Sequence, residues 1–320
     1  MKRPLLLLGQ NGQLGHELLG ALQGLGPVLA LDRAALNLCD LAAIRRVVRT
    51  LRPAVIVNAA AWTDVDGAEA QAELADQVNY RAPRVLAEEA ARLDAVLVHY
   101  STDYVFEGSG SVRRPTGYVE SDPTGPLNVY GRTKLAGEQA IAAVAPRHLI
   151  FRTSWLYGRH GNNFLKTMMR LMREQDDIAV VADQIGAPTP AGLVASVTAL
   201  ALARVMHPVD GLRGTAAVAA LPALPFGLYH LCASGQTSWA GYAQAVLGCL
   251  QRRRIADLRC TTIRAVSSAE RVTVARRPAD ARLDCTRLQN ALLMDFPDWE
   301  TLLQLHFDDL DAADPGSGAD

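Results

Sequence analysis

The sequence predicts an α/β protein: a doubly wound parallel sheet of the Rossmann kind, followed by a smaller, mixed α/β domain. Three observations carry this. Short apolar runs alternate with longer amphipathic stretches through the first half of the chain. The runs are apolar throughout rather than alternately, as in strands covered by helices on both faces. The first run passes directly into a glycine-rich turn that opens a helix. In order, the predicted strands are Leu5–Leu8, Val28–Leu31, Val55–Asn58, residues 95–100 and His148–Thr153. The helical patterns between them cover residues 15–25, Leu41–Leu51, residues 69–92 and Val129–Val144. The second half is more mixed, with helices at Phe164–Glu174 and residues 193–206, a strand at 178–181, another at 227–231 and a helix at 239–251. An Ala/Pro/Gly-rich stretch at 207–225 reads as an exposed loop insertion.

With 320 residues, 49% hydrophobic and 20% charged, the chain suits one large or two fused domains of a globular enzyme. We expect residues 1–155 to form mainly the dinucleotide-binding domain and 156–310 mainly a substrate-binding domain, with some segments returning to the first. Residues 311–320 are expected to be a disordered tail. A net charge of −1 gives no electrostatic case for nucleic acid or an anionic membrane. The apolar start ends at Gly9, too short for a secretion signal, and nothing approaches the roughly 20 apolar residues of a membrane span. The five cysteines are scattered and odd in number, without a Cys-x-x-Cys pair. They read as buried, reduced thiols of a cytoplasmic protein rather than a zinc site.

The turn is Gly9-Gln10-Asn11-Gly12-Gln13-Leu14-Gly15. Glycines let backbone approach a pyrophosphate, and a helix N-terminus presents unpaired amides and the positive end of its dipole. The glycines alone fit an ordinary strand-to-helix turn equally well. Asp32, at the end of the second strand, tips the reading, because an acidic residue about 20 positions on meets the adenosine ribose. Asp32 favours a free 2′-hydroxyl and hence NAD(H), whereas neighbouring Arg33 suits the 2′-phosphate of NADP(H), so both cofactors stay open. Asp40-Leu41 is a candidate adenine cradle. After the third strand, Asn58-Ala59-Ala60-Ala61-Trp62-Thr63 supplies small residues that leave room for a cofactor close to the backbone.

After the fourth strand comes His99-Tyr100-Ser101-Thr102-Asp103-Tyr104-Val105-Phe106. Hydroxyls at a strand's carboxyl end face the crevice where open α/β sheets bind ligands, so Ser101 or Thr102 is placed to bond a substrate oxygen. His99, inside the apolar strand, reads as a packed, hydrogen-bonded histidine. Tyr130 and Lys134 lie four apart in a predicted helix and share a face. A lysine ammonium beside a phenol lowers the phenol's pKa, giving a proton donor and acceptor near neutral pH. With eight tyrosines and three lysines, such a pair arises by chance in roughly one chain of this kind in thirteen, so the upstream motifs decide.

Taken together, these motifs resemble the extended short-chain dehydrogenase/reductases and, more narrowly, the dTDP-4-dehydrorhamnose reductase family. The narrower resemblance rests on residues 99–106, Pro126-Leu-Asn-Val-Tyr-Gly131, Leu149-Ile-Phe-Arg-Thr-Ser-Trp155, Gly161-Asn-Asn-Phe164 and Asp183-Gln-Ile-Gly-Ala-Pro-Thr189. It spans roughly residues 1 to 305. It implies NADPH- or NADH-dependent reduction of the C4 ketone of dTDP-4-dehydro-L-rhamnose, feeding rhamnose to polymers such as O-antigen. It implies Thr102, Tyr130 and Lys134 as the catalytic triad. Gly9 to Gly15, Asp32, Arg33, Asp40, Leu41 and Ala60 to Thr63 would line the cofactor site. Thr102, Asp103, Tyr104 and Trp155 would meet the sugar, and Asn162, Asn163 and Arg277 the nucleotide diphosphate.

The chain departs from the family in three places. The loop between Phe106 and Pro126 is longer, the stretch 207–225 is additional, and a metal ligand is missing. Some members hold magnesium at a dimer interface through three glutamates. Glu17 and Glu300 match two of them, but Gly192 stands at the third, so no metal is expected, and either a monomer or a homodimer fits. Two rivals share the fold. An epimerase or 4,6-dehydratase is one, but a dehydratase needs an Asp-Glu pair after Thr102 where this chain has Asp103-Tyr104. A catalytically silent regulatory subunit is the other, and it has no need of an intact Tyr130/Lys134 pair.

Overall fold

The computed structural model describes residues 3–109, 116–206 and 224–313. Of the expected insertion, 207–223 lies outside the described residues, as does 110–115 of the longer loop. The first half comprises β1 (Leu5–Leu8), α1 (Gln13–Ala21), β2 (Val28–Leu31), α2 (Leu41–Leu51), β3 (Val55–Asn58), α3 (Val65–Ala70), α4 (Ala72–Asp76), α5 (Ala82–Leu93), β4 (Val96–Thr102), α6 (Val129–Val144) and β5 (His148–Thr153). The second half continues with β6 (Leu156–Tyr157), α7 (Phe164–Glu174), β7 (Asp177–Val181), β8 (Ile185–Gly186), β9 (Thr189–Pro190), α8 (Ala191–Met206) and β10 (Gly227–His230). It closes with β11 (Thr237–Ser238), α9 (Trp239–Arg252), β12 (Thr262–Val266), α10 (Thr286–Leu292) and α11 (Trp299–Ala313).

Six strands form one parallel sheet in the order β2-β1-β3-β4-β5-β10. Successive residues of each strand alternate between two cores. Leu6, Leu8, Ile56, Leu97 and Ile150 face one side, against Ile44 and Val48 of α2, Leu86 of α5 and Ile141 of α6. Leu5, Leu7, Val55, Val57, Val98 and Phe151 face the other, against Leu14 and Leu18 of α1, Val194 and Val197 of α8 and Leu288 of α10. Both faces are apolar, which is why the strands read as continuous runs. A separate core joins α7, α9 and α11 through Met168, Met172, Tyr242, Val246, Leu303 and Phe307, with β7 and β12 paired beside it.

The chain runs outward from β1 to β2, then crosses back to β3. The crevice at such a reversal, outside the carboxyl ends of the strands, is where doubly wound sheets bind ligands. Gly9 and Ala59 stand at those two ends.

Several boundaries differ from the sequence reading. The helix expected at 15–25 begins two residues earlier, capped by Gly12, and breaks at Leu22 into a short 3₁₀ turn that ends at Gly26. The single helix expected at 69–92 is α3, α4 and α5, with a π turn at Gln77–Arg81 before Pro83. Proline has no amide to continue an i→i−4 ladder, and the wider turn accommodates the gap. The fourth strand extends to Thr102. The expected tail is helical through Ala313, and 314–320 lies outside the described residues. Of the insertion's last two residues, Pro225 is exposed loop as expected, but Leu224 is not. Leu224 is buried in the sheet core, and the Pro225 carbonyl accepts from the Tyr229 hydroxyl at 2.7 Å.

Candidate active site

The crevice begins with a backbone cradle. Gly9 sits at φ +84°, and a Cβ there would lie 2.7 Å from the Ala60 nitrogen. A Cβ on Gly15 would fall 2.0 Å from the Gly9 carbonyl oxygen. Glycine alone lets these segments close, and the Gly12 cap puts no side chain over the first amides of α1. Asn11 donates to Asp32 at 3.0 Å, and the Ala35 amide donates to the other carboxylate oxygen at 2.9 Å. These bonds, Ala35 first, hold the Asp32 carboxyl below its ordinary range at the rim of the cradle. Arg33 is exposed beside it.

Not every expected cofactor residue offers its side chain. Leu14 points into the sheet core, leaving only its backbone to the turn. The Asp40 carboxylate caps α2, accepting from the Ala43 amide at 2.8 Å, with Leu41 the first helical residue. Gln10 and Gln13 are half-buried. Ala60, Ala61 and Trp62 are half-buried along the β3 end of the crevice, and Thr63 is exposed. Asn79, turned inward by the π turn, clamps Trp62 in both directions, at 2.9 Å and 3.1 Å, and donates to the Thr133 hydroxyl at 3.2 Å.

Helix α6 supplies the central pair. Asn128 caps it by accepting from the Gly131 amide at 2.8 Å, and Glu69 of α3 accepts from the Val129 amide at 2.7 Å. Gly131 lets the helix approach closely, since a Cβ there would meet the Tyr104 carbonyl oxygen at 2.3 Å. Tyr130, Lys134 and Glu138 then share one face. Glu138 is locked in a buried pair with Arg152 of β5, at 2.9 Å and 2.7 Å.

The expected lowering of the Tyr130 pKa by Lys134 is corrected here. The lysine ammonium donates to the Tyr100 carbonyl at 2.5 Å and lies 3.4 Å from the His99 ring. Burial pushes the Tyr130 phenol up to about 12, while its hydrogen bond with Thr102 pulls the other way. Burial also lowers Lys134 to about 8, with Glu138 opposing. Desolvation disfavours the charged form of each group and sets the direction of both shifts. Tyr130 is thus held protonated, as a proton donor requires.

Thr102 Oγ1 donates to Asp103 at 2.9 Å and accepts from the Tyr104 amide at 3.1 Å. Asp103 is buried, and desolvation raises its carboxyl to about 7 against the pull of Thr102. Asp103, Tyr104 and Trp155 line one narrow crevice with Ile185, Trp239 and Pro278. Trp155, at φ +43°, stacks on Trp239 with ring centroids 3.6 Å apart. A bulky residue in the left-handed region is strained backbone that the surrounding packing holds in place. Ser101 is buried beside Thr102 without a hydrogen-bond partner among the described residues.

The three expected diphosphate residues fall into two places. Arg277 is anchored on Asp66 of α3 at 2.7 Å, next to Tyr104. Asn163 caps α7 and donates to Gln13 at 2.9 Å, and the Asn162 carbonyl accepts from Gln13 at 3.2 Å. Both asparagines therefore lie against the cofactor turn. Asn79, Asp66 and Trp239 escaped the sequence reading, and no local pattern marks them. Asn128 carried a usable signal, a cap residue directly before a helix.

The residues do not fit the family's metal site. Glu17 lines a cleft with His16 and His160, and a Cβ on Gly192 would lie 3.7 Å from its carboxylate, so glycine leaves the third ligand place without a donor. Glu300, the second residue of α11, is exposed. Activity is therefore expected to survive exhaustive EDTA treatment, and any dimer to sediment alike with and without magnesium. A dimer seen only with the metal would restore Glu17 and Glu300 to that role.

A six-stranded parallel sheet with Tyr130, Lys134 and Thr102 beside a glycine cradle at its carboxyl edge defines an extended short-chain dehydrogenase/reductase. Residues 1–312 match the family described as the RmlD substrate binding domain, and the chain belongs to that family. It is 42% identical to the dTDP-4-dehydrorhamnose reductase of Escherichia coli (strain K12), over 92% of this chain and 94% of that one. The Burkholderia thailandensis enzyme of the same name is 40% identical, over 96% and 98%. A Bacillus anthracis dTDP-4-dehydrorhamnose reductase crystallised with NADP superposes with a TM-score of 0.81 at 33% identity, covering 97% of this chain and all of that one.

Proposed function

We propose that this chain reduces the C4 ketone of dTDP-4-dehydro-L-rhamnose to dTDP-L-rhamnose, the last step in making that nucleotide sugar. The observation that carries the reading is Tyr130, held protonated beside Thr102, one helical turn from a buried lysine. The cradle fits a dinucleotide, since its glycines leave no side chain where a pyrophosphate would lie. When bound, the reduced nicotinamide supplies the hydride to C4.

The chain's own residues do the rest. Thr102 turns its hydroxyl from Asp103 toward the C4 oxygen and orients it. Tyr130 hands its phenolic proton to that oxygen as negative charge develops. Lys134 keeps a positive charge beside the pair and bonds the nicotinamide ribose. Asp103 and Tyr104 face the sugar across from the Trp155 ring. Arg277 exchanges Asp66 for the diphosphate, while Asn162 and Asn163 close the path beside Gln13. Residues 1–155, with the returning α8, β10 and α10, serve the cofactor, and most of 156–310 serves the substrate. We place the reaction in the cytoplasm, where reduced nicotinamides and nucleotide sugars meet.

The direct test follows nicotinamide absorbance with dTDP-4-dehydro-L-rhamnose and each cofactor. Oxidation of neither, with a different keto sugar nucleotide turned over instead, would sink the assignment. Asp32 gives a separate prediction. Asp32→Ala removes the carboxylate that repels a 2′-phosphate, so the ratio of kcat/KM for NADPH over NADH is expected to rise. An unchanged ratio would mean that Asp32 does not meet the ribose.

A further inference from the structure

Behind Lys134 runs a file of buried polar side chains from three elements. Asn58 ends β3, His99 lies in β4 and Lys134 in α6, and they are 1%, 1% and 2% exposed. The Asn58 amide meets His99 Nδ1 at 3.2 Å, and His99 Nε2 meets Lys134 Nζ at 3.4 Å. Gly137 lets α6 close on the π turn, since a Cβ there would lie 2.2 Å from the Asn79 carbonyl oxygen. β3 and β4 are otherwise apolar up to their ends. Leaving a polar group unpaired in such a core is costly, which favours pairing within the file.

We propose that His99 is a positioning residue for the reduction: fixed by Asn58 as the Nδ1–H tautomer, it accepts a hydrogen bond from Lys134 and holds the ammonium charged and in place beside Tyr130. The tautomer follows from donor and acceptor chemistry. An ammonium only donates, so the nitrogen facing it, Nε2, carries the lone pair and the ring proton sits on Nδ1. Asn58 must then present its oxygen to that proton. With its nitrogen toward the ring, the Asn58 oxygen has no partner among the described residues, and a half-turn of the amide brings it to the His99 proton.

The ring accepts only while neutral. Burial, reinforced by the Lys134 charge, holds its pKa well below the ordinary 6.5. The groups that face Lys134 are consistent with this. From α6 they are Tyr130 and Glu138, the latter held by Arg152 of β5. From β4 they are His99 and, past Thr102, Asp103. Glu138 is the one carboxylate whose charge supports the lysine, and His99 is the lone-pair partner in direct reach.

The test pairs kinetics with spectroscopy. In nitrogen-15 histidine spectra of the full chain at pH 7, His99 is expected to show a protonated Nδ1 and a bare Nε2. A protonated Nε2, or an imidazolium, would overturn the proposal without any variant. In kcat/KM profiles, His99→Gln retains an acceptor oxygen, so its alkaline limb is expected near the wild-type position. His99→Leu removes the acceptor, and its limb is expected to fall by about one pH unit, a roughly tenfold loss on that limb. NADPH affinity at pH 6.5 should change less than about threefold. A folded Leu variant with the wild-type limb, or a Gln variant displaced as far as Leu, would also overturn it. The inference rests on the proposed reduction only for its kinetics. If the wild type turned over no such substrate, the spectrum and the pH dependence of NADPH binding would still decide the role of His99.

Discussion

Tyr130→Phe is expected to lower kcat by about 10²–10⁴-fold, the usual worth of a positioned general acid, with the fold and NADP(H) binding intact. The phenylalanine ring fills the same space between Val129, Ala68 and Ala75 and keeps the edge contact with Tyr104, whose ring lies 5.8 Å away. Only the phenolic hydroxyl beside Thr102 is lost. Because the phenol sits at about 12, it is fully protonated at every working pH, so raising the pH should not mimic the mutation below that value. Stopped-flow measurement of the hydride step, beside a fluorescence titration of NADPH, separates chemistry from binding. Wild-type turnover in the variant would show that another group protonates the alkoxide.

Lys134→Met is expected to reduce kcat/KM by at least about a hundredfold and yet leave the melting temperature at pH 7 unchanged or raised. Burial lowers the lysine to about 8 from an ordinary 10.5, so its charge is costlier in the folded chain than in the unfolded one. That cost is fully present below pH 8. It is relieved as pH rises from about 8 to 10.5, where the folded chain has released the proton and the unfolded chain still holds it. Methionine, of similar length and uncharged, removes the penalty at any pH. In the wild type the same titration predicts kcat/KM falling about tenfold per pH unit above about 8, on a limb that belongs to Lys134 rather than Tyr130. A marked drop in melting temperature for the methionine variant would mean that the Tyr100 and His99 contacts outweigh the desolvation of the charge.

What was legible in the sequence was what local chemistry carries. Leu5–Leu8, Val28–Leu31, Val55–Asn58 and His148–Thr153 match their strands residue for residue; in Leu5–Leu8 and Val55–Asn58 burial on both faces makes a near-continuous apolar run. Tyr130 and Lys134 fell on one face of α6 because helical periodicity requires it. The cradle was readable because close backbone approach admits little but glycine. The elements that failed to read were those set by distant partners. The π turn that aims Asn79 at Trp62 depends on a clamp across 17 residues. The last residues of α11, Asp311 to Ala313, carry no helical pattern of their own.

By itself, then, the sequence determined the parallel sheet, the glycine turn and the placing of Tyr130 and Lys134 on one helix face, the pair to which we assign the proton transfer, each a property of short segments. Only the tertiary structure decided the state and surroundings of that donor. Arg277 meets Asp66 across 211 residues, and Trp239 of α9 reaches Trp155 in the bend between β5 and β6. Burial raises Tyr130 where its nearest lysine alone would lower it. Local spacing records which side chains share a face, whereas pKa values and long-range pairs depend on how much water is excluded once the segments pack, and no short segment carries that information.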